Sequence, residues 1–451
     1  MRRLGGLRRS VFRHQDEFLV FDGHPETSLE GVSNKDFTRG ADHYPMTRER
    51  AGRDRARLLA TLRLQYPDAL AESGFRLLHP ETGEPYTDDR RHLVATCRSI
   101  ANFSAGAVVD GPEWCVDAAE HGLEFLREAH CAADGGYHLV VDDDGEPIDR
   151  TRSAYGHAFV LLAYARAAAA GLDGALEDLR ATHALLEKRF RDDVGLLRSD
   201  CNPDWTEREA YRGQNANMHA CEAYIAAYEA TGESRYYDRA NHIAEKITGD
   251  LATATDGLLW EHYTDEWTHD FAYNEDEPRH QFRPPGYQPG HHLEWAKFLG
   301  LLERYGYEDE SVAATEGQYD RARELFDAAV DLGWAGDGFV YTVDRDGEPI
   351  VADRYGWALA EALGAAATLA ERADFHGDDE ERDRFRDWER RLTDCAAAYR
   401  GPAGLWYEKR LSPEDGGDPI GPEPPGVEPD YHPASAYYER WRSARKLNDR
   451  A

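Results

Sequence analysis

The chain has 451 residues, 41% hydrophobic, 11% aromatic and 31% charged, which supplies a large core and excludes wholesale disorder. Asp and Glu number 86 against 53 Lys and Arg, a formal charge of −33, so like-charge repulsion excludes nucleic acid and anionic membrane as expected partners. Only six cations are lysines (Lys35, Lys188, Lys246, Lys297, Lys409 and Lys446), and an acidic, lysine-poor surface fits a halophilic protein whose self-repulsion is screened by salt.

The basic start, Met1 to Arg9, lacks the apolar stretch of a secretory signal, and residues 1–45 read as a poorly ordered N-terminal extension. No apolar run reaches the ~18 residues of a membrane span. From there, apolar and alanine-rich stretches with a period near 3.6 predict helices at 47–65, 92–108, 114–130, 154–170, 173–190, 214–231, 233–249, 289–305, 316–333, 353–372, 377–399 and 432–446. These twelve fall into six consecutive pairs. A lone pair cannot cover its apolar face, so the expected fold is all-α: an (α/α)6 barrel of six helical hairpins over 46–447. The stretches 157–170 and 357–370 are apolar or small almost all round, whereas 114–130, 316–333 and 377–399 carry charge on a broad face. The even-numbered helices are therefore assigned to the inner ring.

Short hairpins precede the inner helices. Gly136 to Ile148 has an Asp-Gly turn before the helix at 154, and Gly338 to Ile350 repeats it before the helix at 353. Gly83-Glu84-Pro85-Tyr86 is a third echo, and the Pro-rich stretch from Pro413 to Pro433 reads as a surface loop. The triplet Asp142-Asp143-Asp144 reads as a solvated turn, not a metal site. Cys97, Cys115, Cys131, Cys201, Cys221 and Cys395 share no paired spacing, so neither zinc nor disulfides are expected, and the default location is cytoplasmic.

Unusual polar residues sit near the starts of the inner helices: Arg98, Tyr155 with His157, Asn215 with His219, His291 with Glu294, Trp357 with Glu361, and His432. Pairs spaced three or four apart share a helix face, so six inward helices would bring these side chains to one pocket. Each also has a plainer reading. His157, among alanines, fits a hydrogen-bonded core histidine; Asn215 could cap its helix; Trp357 could fill the core. Of His291 and His292 only one can face inward, and Pro289-Gly290 marks the helix start.

Two segments are distinctive: Arg212 to His219 (RGQNANMH) and Phe282 to Trp295 (FRPPGYQPGHHLEW). With Cys97-Arg98, Tyr155 to Phe159 (YGHAF) and Pro429 to His432 (PDYH), they resemble the N-acylglucosamine 2-epimerase family, in its aldose–ketose isomerase branch. The resemblance spans about 50 to 440 and implies the same barrel. It implies interconversion of an aldose and its ketose, of the mannose/fructose type, without metal or cofactor, through a cis-enediol. Histidine suits this work because its ordinary pKa lies near neutrality. The family's two catalytic histidines match His291, expected at the C1/C2 proton, and His432, expected at ring opening. Glu294 would orient His291. His219, Asn215 and Arg98 would hold hydroxyls and developing charge. Trp357 and Tyr155 would face the sugar, Glu361 would accept from a hydroxyl, and Arg283 joins the substrate-binding set.

The implied partner is a small monosaccharide, with a homodimer possible. Two positions depart from the family pattern. Gly356 replaces a common aromatic before Trp357, an expected widening of the pocket, and Pro285 replaces a common tyrosine. The tyrosine of Trp406-Tyr407-Glu408 reads as structural. Other readings are a 2-epimerase of an N-acylhexosamine or disaccharide end, an inverting glycosidase built on Glu294 and Glu361, and an inactive sugar-binding barrel.

Overall fold

Stretches without a continuous polar face must be covered on every side, and here their amphipathic neighbours surround them. The computed structural model describes residues 47–450 apart from residues 88 and 425, so the expected extension at 1–45 lies outside the described residues. Twelve α-helices follow in chain order among the described residues. They are α1 (Thr47–Gln65), α2 (Leu93–Val108), α3 (Trp114–Phe125), α4 (Ala154–Ala169), α5 (Ala175–Arg189) and α6 (Gln214–Thr231). Then come α7 (Ser234–Glu245), α8 (Pro289–Glu308), α9 (Gln318–Gly333), α10 (Gly356–His376), α11 (Asp379–Ala396) and α12 (Tyr431–Arg450).

The even-numbered helices pack each on the next and α12 returns to α2, which closes the inner ring of an (α/α)6 barrel. The pairing is offset by one from the expected pairs. Each inner helix lies against the outer helix that follows it, and α1 lies against α12. Link lengths explain this: inner-to-outer links are short, whereas outer-to-inner links are long and carry the strands.

Those strands gather where the inner helices begin. β1 (Arg90–His92), β2 (Val140–Asp142) and β3 (Pro147–Asp149) form one antiparallel sheet, and β4 (Arg212–Gly213) pairs with β5 (His262–Tyr263). β6 (Val340–Val343), β7 (Pro349–Tyr355), β8 (Lys409–Arg410) and β9 (Pro419–Ile420) form a third, four-stranded antiparallel sheet. The two predicted hairpins share turn chemistry. Asp142 Oδ1 accepts from the N–H groups of Asp144 and Glu146, and Asp344 Oδ1 from those of Asp346 and Glu348. Gly145 and Gly347 supply φ of +85° and +87° in the same place. The Asp142 carboxylate is thus used by its own turn.

The helix expected from 353 starts at Gly356 instead, because Arg354 and Tyr355 pair with Arg410 and Lys409 in the sheet. Asp353 is held there by Lys409 Nζ at 3.0 Å. All six cysteines are free, and no described helix is long and apolar enough to cross a membrane.

Candidate active site

A pocket opens at the end of the barrel where the inner helices start. Eight of the ten expected site residues line it: Arg98, Tyr155, Asn215, His219, His291, Glu294, Trp357 and His432. The closed ring causes this convergence, since each helix contributes its opening turn to the same mouth.

Two imidazoles dominate the floor. His291 Nδ1 lies 2.9 Å from both carboxylate oxygens of Glu261 on β5's approach, and Gln214 Nε2 donates to the same carboxylate at 2.8 Å. His432 Nδ1 lies 2.7 Å from Glu361 Oε1, while Lys297 Nζ donates to the other oxygen of Glu361. With each Nδ1 engaged on a carboxylate, His291 Nε2 is left for the pocket, and His432 Nε2 lies beside Arg98 and Glu428 in the pocket lining. Trp357 lies between the rings, 5.3 Å from His291 and 5.7 Å from His432 centroid to centroid. Gly290 permits this: a Cβ there would sit 2.3 Å from the indole.

Burial alone would raise the carboxyls of Glu261 and Glu361. His291, Gln214 and His262 outweigh it at Glu261, and Lys297 and His432 at Glu361, holding both below the ordinary range. Glu294 goes the other way. Burial, with Glu361 nearby, pushes it well up against the opposing pull of Lys297, and its Oε1 is buried without a partner.

On the opposite wall Arg98 stacks over Phe159 and Tyr431, its carbon 4.6 and 5.0 Å from the ring centroids. Its Nη2 donates to Tyr155 Oη at 3.3 Å and lies 3.4 Å from His432 Nε2; Nη1 donates to Glu428. His219 Nδ1 meets Glu222 at 3.0 Å, and Tyr431 donates to the same carboxylate at 2.6 Å. Burial lowers His219 to about 4, against the pull of Glu222, so it stays neutral near pH 7. Asn215 is no cap, because its Oδ1 is buried and unpartnered at the pocket wall.

Several expectations are corrected. Glu294 makes no hydrogen bond to His291; Glu261 takes that place. Glu361 does not line the pocket but stands behind His432. Arg283 lines an adjoining cavity, where Glu209 holds it at 2.7 and 3.0 Å, with Asp200 at 3.5 Å. Gly356 does not widen the pocket, since a Cβ there would meet the Tyr407 carbonyl and the Tyr399 and Trp406 rings. His157 is a core residue: Nδ1 lies 2.6 Å from Ser153 O and Nε2 accepts from Tyr137 N–H. His292 is likewise locked, between Gln288 O and Leu259 N–H. Tyr407 donates to Glu81.

Sequence reading missed Glu261, Lys297 and Glu428. A signal for Glu261 exists. Gly257-Leu258-Leu259-Trp260-Glu261-His262 echoes Gly404-Leu405-Trp406-Tyr407-Glu408-Lys409, and both segments enter the mouth from an outer helix. Gly257 and Gly404 have φ of +88° and +89°, as does Gly195 at +87° before Leu196-Leu197, so the turn recurs around the barrel.

Two triads have ligand atoms within 4.8 Å of one another, His219–Glu222–Glu294 and Glu294–Glu361–His432. The Lys297 ammonium already supplies a positive charge to these carboxylates, with Glu361, Glu222 and Glu294 all raising its pKa against burial. An inverting glycosidase needs two pocket carboxylates roughly 6.5–9.5 Å apart. Glu294 and Glu361 are closer than that, and Glu361 is engaged behind His432.

The fold and the site define an (α/α)6-barrel enzyme of the isomerase and epimerase type. The chain belongs to the N-acylglucosamine 2-epimerase (GlcNAc 2-epimerase) family, whose model matches residues 74–436. It is 37% identical over 319 residues to a D-mannose isomerase of Marinomonas mediterranea, covering 70% of this chain and 79% of that protein. A mannose-6-phosphate isomerase of Rhizobium meliloti is 28% identical over 373 residues, 79% of this chain and 87% of its own. Among solved structures, a D-mannose isomerase superposes with a TM-score of 0.76 at 32% identity, covering 87% of this chain and 97% of its own.

Proposed function

We infer that the chain is an aldose–ketose isomerase acting on a free hexose of the mannose/fructose type. The observation that carries this is the pair of buried imidazoles, each with Nδ1 on a carboxylate and Nε2 toward one pocket. A carboxylate at Nδ1 fixes the tautomer and stabilises the imidazolium that forms when Nε2 takes a proton.

The pyranose first opens: His432 Nε2 takes the O1 proton and a proton is returned to O5. His291 Nε2 then removes the C2 proton of the aldehyde form, and O1 is protonated to give the cis-enediol. The same imidazole, its Nε2 proton exchanging with solvent at the enediol stage, then protonates C1 while the O2 proton leaves, giving the ketose. Glu294, whose carboxyl burial pushes well up, donates to a sugar oxygen. Arg98 and His219 stabilise charge on O1 and O2. Trp357 and Tyr155 give the sugar apolar faces. The acidic surface fits work in a salty cytoplasm, where the chain acts without metal or cofactor.

Incubation with mannose in heavy water containing EDTA tests this. The expected product is fructose carrying deuterium at C1; no conversion and no exchange with mannose, glucose or fructose would refute the reading. A 2-epimerase would instead give glucose from mannose.

A further inference from the structure

The cations that border the site already hold carboxylates. Arg98 is the one Arg or Lys among the described residues lining the pocket, and its guanidinium donates through Nη1 to Glu428 and to Val427 O at 3.1 Å. Its side chain is 4% exposed, so Glu428, which reaches across from the loop before α12 and is 29% exposed, covers the charge from the open side. The same Glu428 oxygen lies 3.5 Å from His432 Nε2. In the adjoining cavity Arg283 is held by Glu209 and Asp200, and nearby in sequence Arg279 pairs with Asp353 at 3.5 Å. Glu294, Glu408 and Glu423 also line the pocket.

We propose that Glu428 sets the charge selectivity of the site: by holding Arg98 it reserves the pocket for uncharged sugars and turns away those that carry a phosphate or sulfonate. This rests on the sugar-isomerase reading. Family membership leaves the point open, since one relative is named for mannose and another for mannose 6-phosphate. An anion drawn to Arg98 must displace Glu428, leaving a carboxylate stranded among other acids, or lie beside it as a like charge. A hydroxyl meets neither obstacle, because it can donate to Glu428. Burial raises Glu408; Lys409 opposes this, and Glu428 and Glu423 add to it, as expected of a crowded acidic mouth.

The test uses the full chain with Glu428→Gln, which keeps size and polarity, and Glu428→Ala. Inorganic phosphate binding is measured by calorimetry, and kcat/KM is compared for mannose and mannose 6-phosphate. Both variants should bind phosphate at least about tenfold more tightly than wild type, and the preference for mannose should fall by about tenfold or more, the gain shrinking as KCl rises from roughly 0.2 to about 1 M. Adding Arg98→Gln to Glu428→Gln should erase the phosphate gain. Wild-type phosphate affinity with unchanged preference in both variants would overturn the proposal, as would a gain that survives loss of Arg98. If wild type converts no hexose, the isomerase reading fails by itself, while the phosphate titrations still decide the charge pairing.

Discussion

Glu261→Gln is the sharpest perturbation of the proposed chemistry. Glu261 is 2% exposed, and its carboxylate is the acceptor for both His291 Nδ1 and the Gln214 amide. Glutamine has the same shape, and its carbonyl can still accept one of these bonds. Its NH2 group, however, replaces the second carboxylate oxygen that His291 Nδ1 meets at 2.9 Å, and a neutral amide cannot offset an imidazolium. A hydrogen bond to a charged group contributes about 1.5–3 kcal/mol, and ~1.4 kcal/mol is tenfold in rate, so kcat should fall roughly 10- to 150-fold. The contact is made in free enzyme and complex alike, so KM should change little. Stopped-time assays of hexose conversion give kcat and KM, and thermal melting checks the fold. A kcat within twofold of wild type, with the fold intact, would refute the idea that Glu261 sets the His291 tautomer.

Three other outcomes are expected. His432→Ala should lose turnover on mannose but recover part of it on a sugar rich in open-chain form, measured side by side; no recovery would argue that His432 does more than open the ring. Gly290→Ala places a Cβ 2.3 Å from Trp357, so the indole must move from between the imidazoles and kcat/KM should fall about tenfold or more, against a helix-propensity gain of ~1 kcal/mol. Unchanged kinetics would show that the indole position is immaterial. Burial raises the Asp430 carboxyl to about 7, so the folded state favours its protonated form and loses stability as pH rises from the unfolded value of ~3.9 through about 7. Asp430→Asn, tolerated at φ +50°, removes this loss. Its melting temperature should gain on wild type across that window, by at most ~4 kcal/mol in stability at pH 8. A pH-independent difference would refute the assignment.

Much of the scaffold was legible because helical periodicity is local. Ten of the eleven residues from His157 to Ala167 are buried, Arg166 being the exception, as an apolar-all-round helix requires, and α12 begins beside His432 where Pro429-Asp430 places it. Inner-ring assignment then carried eight site residues to one mouth, because a closed ring leaves its helix starts nowhere else to meet. The Asp-Gly hairpins were equally readable, as their turns are bonded within five residues.

What the chain alone did not decide is who partners whom. Glu261 lies 30 residues before His291, Glu361 lies 64 after Lys297, and Glu428 lies 330 after Arg98. Such pairings depend on how neighbouring helices are rotated and where long outer-to-inner links cross the mouth, and no periodicity encodes either. Composition and spacing determined the kind of residue available at each helix start. Only packing in three dimensions decided that Glu261 rather than Glu294 holds His291, that Glu361 stands behind His432 instead of facing the pocket, and that Arg283 belongs to the cavity next door, because a side chain's direction is set by contacts far along the chain.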